Sequence, residues 1–274
     1  MERVLTKNID VPNSYNIDVY MEHGGYEATR KALLEHKPAE LIDMVKKSGL
    51  RGRGGAGFPA GLKWSFMPQG AAVDKYLCVN MDEGEPGTFK DRYLVAEDPH
   101  QVLEGVIIAA YAVGANRAFV YIRGEFLMTV KRWIKVIADA YAKGFLGENI
   151  LGTGFNLDVS VHRGAGAYIC GEETAMINSL EGKRGEPRMK PPYPAQQGLY
   201  DQPTLVNNVE TLSCVPHIVL NGPEWFASIG TEKSAGPKMF CISGHVNKPG
   251  NYELPLGTTL RELIYDHAGG VKDS

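Results

Sequence analysis

Residues 51–66 read Arg-Gly-Arg-Gly-Gly-Ala-Gly-Phe-Pro-Ala-Gly-Leu-Lys-Trp-Ser-Phe, a glycine-rich loop set among cations. Gly52, Gly54, Gly55 and Gly57 leave backbone N–H groups free to close on an anion, and Arg51, Arg53 and Lys63 supply positive charge around it. Phe58 and Phe66 follow, where a base or planar ring could be stacked. Together these residue types imply a phosphate cradle for a nucleotide-like cofactor. A flexible turn is the plainer alternative for the glycines alone.

Gly52, Gly54 and Gly57 also spell G-x-G-x-x-G. A dinucleotide fingerprint needs a strand directly before that loop. Residues 38–48 instead place apolar side chains at 41, 42, 44 and 45, a helical spacing, with Gly49 as the stop. A Walker A loop is excluded too, because Leu62 separates Gly61 from Lys63 and Trp64 stands where Ser or Thr would hold magnesium.

The elements that must position this loop read as α/β. Strands are expected over 76–80, 117–123 and 156–162. Helices are expected over 99–112, with Asp98 as N-cap and Gly114 past the end, and over 127–143, stopped by Gly144. Strands alternating with helices imply a parallel sheet. The first strand runs into Asn80-Met81-Asp82-Glu83-Gly84-Glu85-Pro86-Gly87, and the third into a segment holding Tyr168, Gly171, Glu172 and Glu173. Both acidic clusters therefore fall at carboxyl ends of strands, where open parallel sheets bind ligands. A solvated carboxylate or a helix cap is the alternative for any one of them. A proline-stiffened loop over 183–199 brings Arg184, Arg188, Lys190 and Tyr193 as a wall. Val206-Asn207-Asn208-Val209-Glu210-Thr211 then reads as the opening of another helix, its amides either bonding a polar heterocycle or, for Asn207, only capping.

A net charge of −3 with 43% hydrophobic residues argues for a well-packed chain and against a general nucleic-acid binder. The first ten residues lack a signal-peptide core, and the apolar stretch around 106–115 is too short to span a bilayer, so a cytoplasmic protein is expected. Cys78, Cys170, Cys214 and Cys241 form no C-x-x-C pair and no metal-ligand spacing, and buried free thiols are expected.

Taken together, 51–66, 80–87, 164–174 and 206–211 resemble the flavoprotein subunits, of F type, in bacterial NADH-quinone oxidoreductase, respiratory complex I. The likeness covers nearly the whole chain, with the motifs in the family's order. The diaphorase subunits of NAD-reducing hydrogenases and NAD-dependent formate dehydrogenases share these motifs and are the alternative, as is a non-catalytic nucleotide-binding module. The resemblance implies a Rossmann-like, parallel-sheet FMN- and NADH-binding domain over 1–235, followed by the start of a soluble-ligand-binding β-grasp domain over 236–274.

It also implies roles. Gly52, Gly54, Gly55 and Lys63 would hold the phosphate and ribityl chain of FMN; Asn80, Asp82, Glu83, Gly171, Val206, Asn207, Asn208 and Thr211 would complete the flavin pocket. NADH would lie over the flavin, with Phe58 and Phe66 at its adenine, Glu85 and Tyr168 at the nicotinamide half, and Glu172, Glu173, Lys190 and Tyr193 lining the rest. Tyr193 departs from the Phe often found there but keeps a ring that stacks. Hydride passes directly between the two cofactors in this family, so no nucleophile or metal is expected in the chain. The implied partners are other peripheral-arm subunits, notably the thioredoxin-like [2Fe–2S] protein of E type and the iron–sulfur protein of G type. The implied location is the cytoplasmic side of the inner membrane, reached through the complex.

The last forty residues read as a separate module. Strands are expected over 239–243 and 252–254, with a turn over 245–250, then a helix over 258–267 ended by Gly269 and Gly270. The family goes on to a helical domain whose cysteines ligate a [4Fe–4S] cluster, and no such ligands occur here. The chain is therefore expected to be an N-terminal fragment, leaving the β-grasp sheet incomplete where it stops at Lys272-Asp273-Ser274.

Overall fold

The computed structural model describes residues 2–70 and 73–272; of the terminal Lys272-Asp273-Ser274, the last two lie outside the described residues, as does Met1. Four short segments form the central sheet: β1 (Tyr76–Met81) and β2 (Arg117–Ile122), which are mostly apolar, β3 (Asp158–Arg163), which alternates, and β4 (Thr204–Asn208). Every pairing is parallel and the spatial order is β3-β2-β1-β4. The chain winds outward from β1 to β3 and then returns to the other side of β1. The order thus reverses between β1 and β4, and in open α/β sheets that reversal opens a crevice at the carboxyl ends.

Two expectations need correction. The third strand starts at Asp158 rather than 156, because Leu157 exchanges both backbone hydrogen bonds with Gly147, each at 2.9 Å, before joining the ladder. Residues 206–211 do not simply open a helix. Thr204, Leu205 and Val206 are buried in β4, paired with β1 from Tyr76↔Thr204 to Asn80↔Asn208, and the helix begins only at Val209. The cap is Asn208, whose side-chain oxygen accepts from the Glu210 N–H at 3.0 Å, and not Asn207.

Strand alternation sorts side chains to two faces. Leu77, Val79, Met81, Val120 and Leu205 join the main core beneath the Pro99–Val113, Leu127–Ala142 and Val209–Asn221 helices. Tyr76, Cys78, Tyr121 and Val206 face the other way, onto Met176, Ile177 and Leu180 of the Glu173–Leu180 helix. The Pro99–Val113 helix is apolar on nearly all sides, and only Tyr111 among its residues escapes full burial. Its Asp98 cap and the left-handed Gly114 stand as the sequence predicts.

This central helix touches the Val209–Asn221 helix backbone to backbone at Gly105. A Cβ there would lie 2.1 Å from the Leu212 carbonyl oxygen. Gly105→Ala is expected to lower unfolding free energy by about 1–3 kcal/mol through forced separation of the two helices, read by urea denaturation. An unchanged midpoint would show that the helices part freely.

The second module is an antiparallel hairpin of Pro237–Ile242 and Gly250–Pro255, slightly longer on both strands than the sequence suggests. Instead of one helix over 258–267, a short Leu260–Glu262 turn with a Thr259–Glu262 capping box runs into a π-helical segment, Leu263–His267. The N-terminal segment ties this hairpin to the sheet domain: the Glu253 carboxylate accepts from the backbone N–H groups of Val4, Leu5 and Thr6 at 2.8–3.0 Å. Cys78, Cys170 and Cys214 are buried as expected, whereas Cys241 on the hairpin is only half-buried.

Candidate functional site

The glycine loop is preceded by a helix, Pro38–Lys47, as its spacing predicts. Its neck is closed by Gly52 N–H to the Phe58 carbonyl and Ala60 N–H to the Leu50 carbonyl, both at 2.8 Å. The Arg53 N–H donates to Thr211 Oγ1 at 2.8 Å, which seats the loop over the first turn of the Val209–Asn221 helix. Between loop, β1, β4 and the proline-rich segment opens a cavity of about 850 Å³, in the size range of nucleotide-scale sites.

Most of the residues singled out in the sequence meet here. Gly52, Gly54, Phe58, Lys63, Phe66, Asn80, Gly171, Glu172, Glu173, Lys190, Tyr193, Val206, Asn207, Asn208 and Thr211 all line the cavity. The segment after β3 swings back to β1, where Asn80 Nδ2 donates to the Gly171 carbonyl at 2.8 Å. Asn207 is held from behind by Trp64, whose Nε1 donates to its side-chain oxygen at 2.8 Å. Phe58, Phe66 and Tyr193, each about half exposed, rim the mouth, with the two phenyl centroids 6.1 Å apart.

Other expected residues stand apart. Gly55 does not line the cavity; its φ of 122° shapes the loop backbone. The Glu83 carboxylate is turned to the Asp91–Glu97 helix, accepting from Asp91 N–H at 2.7 Å and Arg92 Nε at 2.8 Å. Glu85 and Tyr168 lie outside the lining residues and join the two strand-tip loops by a hydrogen bond from the tyrosine hydroxyl to the carboxylate. Arg51 and Arg53 do not surround an anion. Arg51 donates to the Gly57 and Lys233 carbonyls, and Arg53 to those of Ala235 and Pro237, so both brace the loop against the following segment. Arg188 is likewise structural, bonding Asn178, Glu181 and the Gly198 carbonyl, and Arg184 pairs with Glu186.

The cationic character of the cavity therefore rests on Lys63 and Lys190, and both are engaged by one carboxylate. Glu173 binds Lys63 at 2.7 Å through one oxygen and Lys190 at 2.8 Å through the other. Burial alone would raise the Glu173 carboxyl, but these two ammonium groups outweigh it and hold it below its ordinary value. Glu172 caps the Glu173–Leu180 helix, accepting from the Thr174 and Ala175 N–H groups, and also meets Lys190 at 3.1 Å. At the β1 tip, Asp82 lies outside the lining residues; it is 8% exposed and its Oδ2 is buried with no hydrogen-bond partner. Burial, only partly offset by Arg123, pushes this carboxyl up to about 6. Gly57 and Pro194, from the expected glycine loop and proline-stiffened wall, also line the cavity. Lining residues that sequence reasoning did not single out are Ala56, Ala60, Ala195 and Gln196, and nothing in their types signals a ligand.

Against known families, the Nuo51 FMN-binding domain matches residues 45–217, more than half of the chain and all of the cavity. The chain belongs to the Nuo51 FMN-binding family. The SLBB domain matches 239–274. The second F-type NADH-quinone oxidoreductase protein of Rhizobium meliloti is 60% identical over 269 residues, covering 98% of this chain and 64% of that protein. The F-type NADH-quinone oxidoreductase protein of Aquifex aeolicus is 56% identical over 268 residues, covering 98% of this chain and 62% of its own. This member of the Nuo51 family thus spans less than two thirds of the length of the curated relatives it matches. Among solved structures, the NAD+-reducing [NiFe]-hydrogenase in its H2-reduced state superposes with a TM-score of 0.83 at 40% identity, over 99% of this chain and 43% of that one.

The site fits FMN on its own geometry. A Cβ on Gly54 would sit 3.2 Å from Asn208 Cβ, tighter than ordinary contact, so glycine keeps the loop open there, and just behind the lining the Asp82 Oδ2 is left without a donor. No helix among the described residues is long and apolar enough to cross a membrane.

Proposed function

We propose that the chain is the FMN- and NADH-binding part of an NADH-quinone oxidoreductase flavoprotein, taking hydride from NADH onto FMN and sending electrons toward quinone. The observation that carries this reading is the cavity at the β1/β4 reversal, in which the glycine loop, the paired lysines and the aromatic rim converge. FMN would supply the redox chemistry. Gly52 and Gly54, with the first turn of the Val209–Asn221 helix, cradle its phosphate. Lys63 adds charge, while Asn80, Asp82, Asn207 and Asn208 bond the polar ring edges. Glu83 acts from outside the cavity by fixing the loop that carries Asp82, and Gly55 by shaping the phosphate loop.

Phe58, Phe66 and Tyr193 stack the adenine of NADH, and Lys190, Glu172 and Glu173 meet its sugar–phosphate portion. Glu85 and Tyr168 close the nicotinamide side. Onward transfer to a [4Fe–4S] cluster, docking with the E-type [2Fe–2S] and G-type iron–sulfur proteins, and a position on the cytoplasmic side of the inner membrane belong to the same proposal. So does a division of the chain at 235/236. The hydrogenase likeness favours a second reading, that of a diaphorase, whose flavin site would be the same.

Purified chain supplied with FMN is expected to turn yellow and to be bleached by NADH; failure to take up FMN would end the proposal. Asp82 adds a pH signature. Its carboxyl is protonated below about pH 6 in the free site, and the ionised form is the stronger acceptor of a flavin N–H, so binding works against that proton as pH falls. FMN affinity is expected to drop about fivefold from about pH 6 to about pH 5, measured by fluorescence quenching, and Asp82→Asn to remove the slope. A flat profile in the unmodified chain would remove Asp82 from the ring edge.

A further inference from the structure

A buried chain of charges runs from the cavity floor to the second module. Asn208 Nδ2 donates to Asp91 Oδ2 at 2.7 Å, and the other Asp91 oxygen takes Lys90 Nζ at 2.8 Å. Lys90 also reaches Glu210 Oε2 at 2.8 Å, and the same oxygen takes Lys238 Nζ at 2.7 Å. The remaining Glu210 oxygen accepts the Met239 N–H at 2.8 Å. Lys90, Asp91 and Glu210 are almost wholly shielded from water, and the Lys238 side chain is 21% exposed. Lys238 and Met239 lie in the first hairpin strand, outside the span of the FMN-binding match.

The chain is electrically balanced: two lysines face two carboxylates, and the adjacent Glu83 has its own partner in Arg92 at 2.8 Å. Burial alone would raise the Glu210 carboxyl, yet Lys90 and Lys238 hold it below its ordinary value. Burial pushes the Asp91 carboxyl up against the pull of Lys90 and the Lys238 ammonium down against that of Glu210, and the 2.7–2.8 Å contacts keep the four groups as ion pairs. Without Lys238, two carboxylates would share one ammonium, and a net negative charge would sit directly behind Asn208. In a dry interior such a charge is weakly screened. It would disfavour any ligand state that carries more negative charge.

We propose that Lys238 is a positioning residue of the flavin site: by completing the Lys238–Glu210–Lys90–Asp91 chain it fixes Asn208 and keeps the charge behind the cavity at zero, so the second module sets the reduction potential of the bound cofactor. This rests on the FMN reading above. Reduction adds negative charge to a flavin, so the potential falls when Lys238 is lost and rises when Glu210 is neutralised.

The test is a spectroelectrochemical titration of the FMN-loaded 274-residue chain and its variants. Lys238→Met is expected to lower the ratio of reduced to oxidised flavin affinity about tenfold, a shift of about −30 mV for a two-electron couple. Glu210→Gln is expected to move the potential the opposite way, and Lys238→Arg to leave it at the unmodified value. Simple loosening of the fold would not produce opposite signs. Potentials in Lys238→Met and Glu210→Gln that stay put or shift together would overturn the proposal. If Lys238→Met loses FMN, retention by Lys238→Arg supports the charge role and equal loss in both overturns it. An unmodified chain that takes up no FMN would instead refute the cofactor reading itself, before Lys238 is in question.

Discussion

Gly54→Val is expected to leave the chain folded and strip it of FMN, with affinity down at least about a hundredfold, or about 2.7 kcal/mol. The first side-chain atom would already press on Asn208 Cβ at 3.2 Å, and two further methyl groups would occupy space the cofactor needs. The loop cannot retreat. Its neck is closed by two 2.8 Å backbone hydrogen bonds, and Arg53 N–H anchors it to Thr211. Gly55→Val is a useful contrast, because nothing lies within 4 Å of a Cβ there and its cost comes from the φ of 122° alone. FMN-to-protein ratios after purification, beside thermal unfolding curves, separate the two. Stoichiometric flavin in Gly54→Val would show that the loop is not the cradle.

Glu173→Ala is expected to raise the NADPH-to-NADH rate ratio about ten- to a hundredfold, some 1–3 kcal/mol. A carboxylate facing an adenosine ribose repels a 2′-phosphate. Glu173 also occupies both cavity lysines, Lys63 at 2.7 Å and Lys190 at 2.8 Å, so its removal trades a repelling anion for an unpaired Lys63 and a Lys190 left with Glu172 alone. Glu173→Gln removes the charge but keeps the volume, and should give the smaller change. Stopped-flow bleaching of bound FMN by each nucleotide reads the ratio directly. If neither variant moves it, Glu173 does not face the ribose.

The sequence exposes those parts of the fold that repeat a local pattern. The 99–113 helix announces itself through Asp98, its apolar run and Gly114, and three of the four main-sheet strands are legible, two as short apolar runs and the third by its alternation. The fourth, Thr204–Asn208, hides because it is five residues long and ends in two asparagines that also suit a helix cap; only its pairing with β1 makes it a strand. The site is legible where function demands an unusual residue type, as in the glycines of 52–57 or the Glu172–Glu173 pair. It is illegible where direction matters. Arg51 and Arg53 look like phosphate ligands by position, but carbonyls at 57, 233, 235 and 237 claim them, and Glu83 is claimed by a helix start. No local pattern marks Lys238 as a neighbour of Glu210, since 28 residues separate them.

The Glu253 carboxylate that gathers the N–H groups of residues 4–6 sets an order of events during synthesis. Its partners lie up to 249 positions earlier in the chain, so at a ribosomal rate of roughly 5–20 residues per second those amides wait on the order of 10–50 s for their acceptor. The last long helix of the sheet domain ends at residue 221, and the hairpin strand begins soon after, at Pro237. Leu5 can already seat against the central helix, where Gln101 Nε2 donates to its carbonyl at 2.9 Å, but its N–H is satisfied only once Glu253 arrives. A nascent chain halted between residues 238 and 253 would have the braces of the glycine loop in hand while the N–H groups of residues 4–6 still lacked their acceptor.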